Sequence, residues 1–154
     1  MTPADMRVVC DAMLGRLTTY LRMCGYDTVY ALEADTDTDA GVAAIARDED
    51  RRLITRDRAL AVAVPDAICL STTDIDDQLR ELQAAGFDLS LTTPTRCSRC
   101  NGRLDRVDPT ASTPGDEPDP GETPVWRCLE CGHRFWQGSH WDDVDARLDA
   151  LTED

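Results

Sequence analysis

Apolar and polar positions over residues 1–92 switch repeatedly between a strand-like and a helix-like rhythm. RVVC (7–10) is a short apolar run, and Met13, Leu14, Leu17, Tyr20, Leu21 and Cys24 then recur at helical spacing until Gly25. TVYA (28–31) predicts a second strand, and a helix follows with Val42, Ile45 and Ala46 inward. RLIT (52–55) and AICL (67–70) predict two more strands, separated by DRALAVAV, a short helix or turn ended by Pro65. STTDIDDQLRELQAAG opens on cap-forming residues, closes at Gly86 and puts Ile75, Leu79 and Leu82 on one face. Strands alternating with helices predict a parallel sheet covered on both sides. If its order is 2-1-3-4, the reversal lies between the first and third strands, and ligands of such sheets sit outside the carboxyl ends there.

The pattern changes after residue 92. Over 93–141 two knuckles, RCSRC and RCLEC, flank a stretch that includes DPTASTPGDEPDPGETP (108–124). That stretch has five prolines, five acids and no aromatic residue. It cannot bury a core and is expected to be a flexible or disordered insertion. The tail, 142–154, aligns Val144, Leu148 and Leu151 for one short helix.

Composition narrows the setting. No apolar run approaches the ~18 residues of a membrane span, and the amino terminus has no basic-then-apolar leader, so a cytoplasmic protein is expected. The net charge is −14, and all 16 basic residues are arginine. Such an acid-rich, lysine-free chain suits concentrated salt, where self-repulsion is screened and carboxylates keep the surface hydrated, a halophilic character. The same charge argues against nucleic acid as a partner, except that in high salt counterion release contributes little to such binding anyway.

Seven cysteines without an export signal favour metal over disulfides. Cys97, Cys100, Cys128 and Cys131 make two Cys-x2-Cys turns that can surround one ion with four thiolates, the donor set of structural zinc. Their spacer of 27 residues is long, and the proline-rich insertion accounts for the excess. Gly102 and Gly132 follow the knuckles as tight turns require. A closed four-thiolate site folds a small module and does not catalyse. His133 is a spare neighbour. Arg96, Arg99, Arg103 and Arg106 form either a local phosphate-binding patch or a set of solvated, acid-paired side chains. Cys10, Cys24 and Cys69 are expected to be small buried hydrophobes.

The acids raise a second possibility. Asp11 follows strand one at once, Asp57 follows strand three, and Asp35, Asp37 and Asp39 precede the second helix. Each either caps a helix or joins carboxylates from other segments around Mg²⁺ or Mn²⁺. Asp39 is the best ligand of its group, and Asp35 and Asp37 read as solvated loop acids.

DAMLGRLTTYLRMCGYDT, LITRDRAL, RCSRCNGRL and CGHRFWQGSHWD resemble the Mut-seven carboxy-terminal RNase family over about residues 6–142. The resemblance implies a PIN-like three-layer α/β sandwich over 1–92 with an appended zinc ribbon over 93–141. It implies a metal-dependent ribonuclease with Asp11, Asp39 and Asp57 as its Mg²⁺ or Mn²⁺ carboxylates, and Asp74 or Asp76 as a possible fourth. The products would be a 5′-phosphate and a 3′-hydroxyl, and single-stranded RNA would be the partner. Arg16 and Arg56 are the favoured phosphate clamps, since guanidinium forks grip phosphate bidentately; Arg22 and Arg58 are nearby candidates. Phe135, Trp136 and Trp141 either stack bases or pack the ribbon on the main domain. His140 is a lone histidine that could reach the acidic edge. The rival functions are a non-catalytic RNA- or protein-binding adaptor and a small phosphoester hydrolase.

Overall fold

A computed structural model describes residues 2–36, 38–111, 115 and 117–152. Asp37 lies outside them, as do 112–114 and 116 of the insertion. The chain runs β1 (Arg7–Cys10), α1 (Gly15–Met23), β2 (Asp27–Tyr30), α2 (Asp39–Asp48), β3 (Arg52–Thr55), α3 (Arg58–Ala63), β4 (Ile68–Cys69) and α4 (Ile75–Ala84). The ribbon strands β5 (Leu104–Arg106), β6 (Val125–Cys128) and β7 (Arg134–Trp136) follow, and then α5 (Ser139–Thr152).

The first four strands form one parallel sheet in the order β2-β1-β3-β4. Alternation along β1 sorts its side chains between two cores. Val8 and Cys10 join Leu17, Leu21, Leu79 and Leu148 beneath α1, α4 and α5. Val9 joins Leu53, Val42, Ala46 and Leu60 beneath α2 and α3. The result is a three-layer α/β sandwich, with β5-β6-β7 as a separate antiparallel sheet carrying the cysteine knuckles.

Three side chains depart from expectation. Met13 is 51% exposed and precedes α1, because the helix begins only at Gly15. Cys69 is exposed, because β4 is a two-residue strand at the sheet's edge. Cys10 and Cys24 are buried as expected, and burial pushes both thiols up to about 12, so they remain unreactive. Arg22 is buried and committed internally. Its Nε donates to the Thr28 carbonyl (3.0 Å), Nη2 to Glu33 (2.7 Å) and Nη1 to the Ser98 carbonyl (3.3 Å). It is a strut between α1, β2 and the first knuckle, not a free phosphate clamp.

Helix α5 begins at Ser139, inside the GSHW segment, and Val144, Leu148 and Leu151 pack into the core beneath α1 and α4. Arg147 of α5 also holds Asp76 of α4 at 2.5 Å. The chain therefore returns from the ribbon to the sandwich. Within the insertion, Pro120 is buried and Glu117 lies 3.1 Å from Arg134 of β7, out of line for a hydrogen bond.

The ribbon docks on the open edge of β2. Asn101, at φ +71°, presents its amide there: Oδ1 accepts from Thr28 N–H (2.8 Å) and Nδ2 donates to Asp27 (2.7 Å). It pairs an edge amide that the sheet itself leaves open. Asp27 also takes Arg51 at 2.9 Å and lies 3.6 Å from Arg96. Burial works against ionisation of Asp27. The hydrogen bonds of Asn101 and Arg51, and the charges of Arg51 and Arg96, outweigh it and hold the carboxyl below its usual value.

Candidate functional site

Two groups of ligand-bearing side chains stand apart in the fold. The thiol group is assembled already: the sulfurs of Cys97, Cys100, Cys128 and Cys131 all lie within 4.8 Å of one another. Cys97 and Cys131 are 3.7 Å apart, and Cys100 and Cys128 are 3.5 Å apart. Gly132, at φ +78°, makes the second turn. In the first knuckle the positive φ belongs to Asn101. Gly102 is needed for a different reason, since a Cβ there would stand 2.7 Å from the Cys128 sulfur.

Backbone amides shape the thiol acidities. Burial raises Cys97 to about 12. Burial also opposes ionisation of Cys128, but the Cys131 and Glu130 amides, each 3.4 Å from its sulfur, and the neighbouring thiols bring it down to about 7. Four thiols at this spacing, with inward amides on one sulfur, fit a tetrahedral ion such as zinc. His133 is no part of the set. Burial and the Arg99 guanidinium hold its pKa below the ordinary value, and Nδ1 pairs with Arg99 at 3.0 Å.

The carboxylates sit at the carboxyl edge of the parallel sheet. Asp11 follows β1, and its N–H continues the ladder to the Ile54 carbonyl (3.1 Å). It does not cap α1: the N-cap position is Leu14, which has no side-chain cap. Its oxygens accept from Ala12 N–H (2.8 Å) and from the Thr55 hydroxyl (2.6 Å). Asp11 is 6% exposed, and no cation pairs with it among the described residues. The same Thr55 hydroxyl accepts from Asp57 N–H (3.0 Å), so one side chain links both acids across the point where strand order reverses.

Asp57 does cap a helix. Its Oδ1 accepts from Ala59 N–H (2.9 Å) and Leu60 N–H (3.2 Å), leaving Oδ2 without a partner among the described residues. Asp39 is the exposed first residue of α2, whose cap is Thr38. Among the described residues, no trio of Asp11, Asp39 and Asp57 oxygens reaches the spacing that the four sulfurs have. Asp35 is exposed in a turn at φ +56°. Asp74 caps α4, and Asp76 is engaged by Arg147.

Arg16, Arg56 and Arg58 are exposed and make no ion pair among the described residues; Arg16 leans over the Tyr20 ring at 6.0 Å. Sequence reasoning missed Thr55 and Tyr30. The Tyr30 hydroxyl donates to the Ala12 carbonyl at 2.6 Å and braces the turn after Asp11. Gly15 admits that ring, because a Cβ there would meet the hydroxyl at 3.0 Å. The Thr55 signal was present in the TRD triplet. The Tyr30 contact had none. A cavity of about 740 Å³ lies at the opposite edge of the sheet beside Arg7, Arg51 and Asp66, away from these acids.

The fold and these groups define a class: a parallel α/β domain with acids at its switch point, joined to a four-cysteine ribbon. Comparison makes the assignment specific. The Mut7-C RNAse domain family matches residues 6–148, and the chain belongs to that family. This gives it a nuclease-like function, with RNA as the substrate class. No curated protein and no solved structure matches it. Among the described residues, no helix is long and apolar enough to cross a membrane.

Proposed function

We propose that the chain is a metal-dependent ribonuclease whose Mg²⁺ or Mn²⁺ would be held by Asp11 and Asp57, with Asp39 completing the set. The observation that carries this reading is Asp11, a carboxylate 6% exposed with two neutral donors and no cation among the described residues. A buried charge is costly unless paired or bound to metal, and beside it Asp57 keeps one oxygen uncommitted. Thr55 fixes the Asp11 carboxylate, and the exposed Asp39 at the start of α2 would supply the remaining ligand.

A divalent ion bound there would activate water and stabilise charge on the cleaved phosphodiester. The chain's own groups do the positioning. Arg56 adjoins Asp57 and Arg16 lies on the first turn of α1, neither ion-paired among the described residues, so they can hold a phosphate in line for displacement. The family resemblance adds the polarity of cleavage, with a 5′-phosphate and a 3′-hydroxyl. The four cysteines would hold structural zinc. Three further free thiols suit a reducing, cytoplasmic setting, and the charge of −14 suits concentrated salt.

The test is cleavage of labelled single-stranded RNA in high salt with Mn²⁺, comparing wild type with Asp57→Asn. Wild type is expected to cut and the variant to lose about 100-fold or more. Equal cutting by both removes this site. Cutting by neither points to an adaptor, and turnover of nucleotides without RNA cleavage points to a small phosphoester hydrolase.

A further inference from the structure

The ribbon and the first turn of α5 enclose a cleft of about 450 Å³ whose lining is out of character with the chain. Thirty of the 154 residues are acidic, yet among the described residues neither an Asp nor a Glu lines it. The walls carry Arg96, Arg99 and Arg134, the rings of Phe135, Trp136 and Trp141, and both histidines. Arg96 and Arg134 have acids within reach, Asp27 at 3.6 Å and Glu117 at 3.1 Å. Arg99 has only the His133 ring nitrogen and no carboxylate among the described residues. Trp136 is 36% exposed, leaving part of a large π surface open to solvent. Open aromatic faces beside an uncompensated guanidinium match a stacked base and its phosphate.

The cleft also leads somewhere. Ser98 and Arg99 line a second hollow of about 280 Å³ together with Gly15, Thr18 and Tyr30. Tyr30 is the residue that braces Ala12, next to Asp11. We propose that the cleft is a base-stacking subsite for single-stranded RNA, from which the strand passes Arg99 and the face of α1 toward Asp11. Its place as a substrate subsite rests on the nuclease reading; its capacity to bind RNA does not. Stacking does not draw on phosphate charge, so it still contributes where phosphate attraction is screened.

The test measures binding apart from cleavage. Zinc-loaded full-length protein, without Mg²⁺ or Mn²⁺, is titrated with a short fluorescein-labelled oligouridylate and followed by anisotropy and tryptophan quenching. Trp136→Ala is expected to raise Kd about 5- to 100-fold, and Trp136→Phe to recover most of the loss by restoring a ring. Arg99→Gln is expected to weaken binding and to flatten the slope of log K against log salt by about 0.7. Zinc content, measured for each variant, separates a lost contact from a lost ribbon. RNA bound equally by wild type, Trp136→Ala and Arg99→Gln overturns the proposal, as does wild type that binds none; in the first case, loss of cutting in Asp57→Asn leaves the nuclease reading standing. Weakened binding in Trp136→Ala together with full cutting by Asp57→Asn upholds the cleft and removes the carboxylate site.

Discussion

The two ligand groups of this molecule are built in opposite ways. The four sulfurs of the ribbon are gathered within 4.8 Å by two tight turns and the β6 backbone. The acids at the sheet edge come from the ends of different strands and helices and lie farther apart. Local turns can set a donor shell because the few residues involved have little freedom. A shell drawn from distant segments is only as close as the packing of whole elements makes it. The thiol group therefore suits a resident ion that holds a fold together, and the proposed carboxylate site would suit an ion that arrives with, or is completed by, substrate.

That contrast can be broken at its strong end first. Cys97→Ala is expected to abolish zinc retention and unfold β5–β7, since structural zinc contributes on the order of 10 kcal/mol to such modules; metal content and limited proteolysis read the loss. The same assays should register Gly102→Ala, which pushes a methyl group onto the Cys128 sulfur, with about a 10-fold or greater loss of zinc affinity.

At the other site, Asp11→Asn should leave zinc untouched while lowering RNA cleavage by about 100-fold or more. Its neutral amide removes the negative charge that the proposed ion would need. Asp57→Ala should add a stability cost of about 1 kcal/mol to the same loss of activity, because the α3 cap goes with it. Denaturant unfolding of the two variants separates the effects.

The seam between the regions gives a smaller effect. Asn101→Ala strands the buried Thr28 N–H and should destabilise docking by about 1–3 kcal/mol, with zinc retained. Hydrogen exchange at β2 would report it. The least effect is expected from acid. The Asp27 carboxyl is lowered in the folded chain, so its contribution is present above the unfolded carboxylate value of about 3.9 and is lost as pH falls toward the folded one. Asp27→Asn should remove that portion of the acid sensitivity.

Much of this architecture is legible in the chain. Strand-helix alternation is carried by short apolar runs and period-3.6 stripes that burial enforces, and a run apolar throughout lets Val8 and Val9 part to opposite cores, whereas the strand order that sets the reversal point leaves no mark in the pattern. The knuckles are legible because zinc spacing is local. Arg22 misleads: an arginine off the apolar stripe reads as exposed, and only the ribbon's return supplies the Ser98 carbonyl that, with Thr28 and Glu33, keeps it buried. Cys69 misleads because nothing local says that β4 stops after two residues. Thr55 acts through one long-range hydrogen bond and Asn101 through two, which leave no periodic trace.

The most direct test of the central claim is to locate Mn²⁺ by anomalous scattering in crystals of the zinc-loaded protein. The expected result is manganese bonded at about 2.1–2.2 Å to carboxylate oxygens of both Asp11 and Asp57. Manganese bound elsewhere, by a protein that nonetheless cuts RNA in its presence, would contradict it.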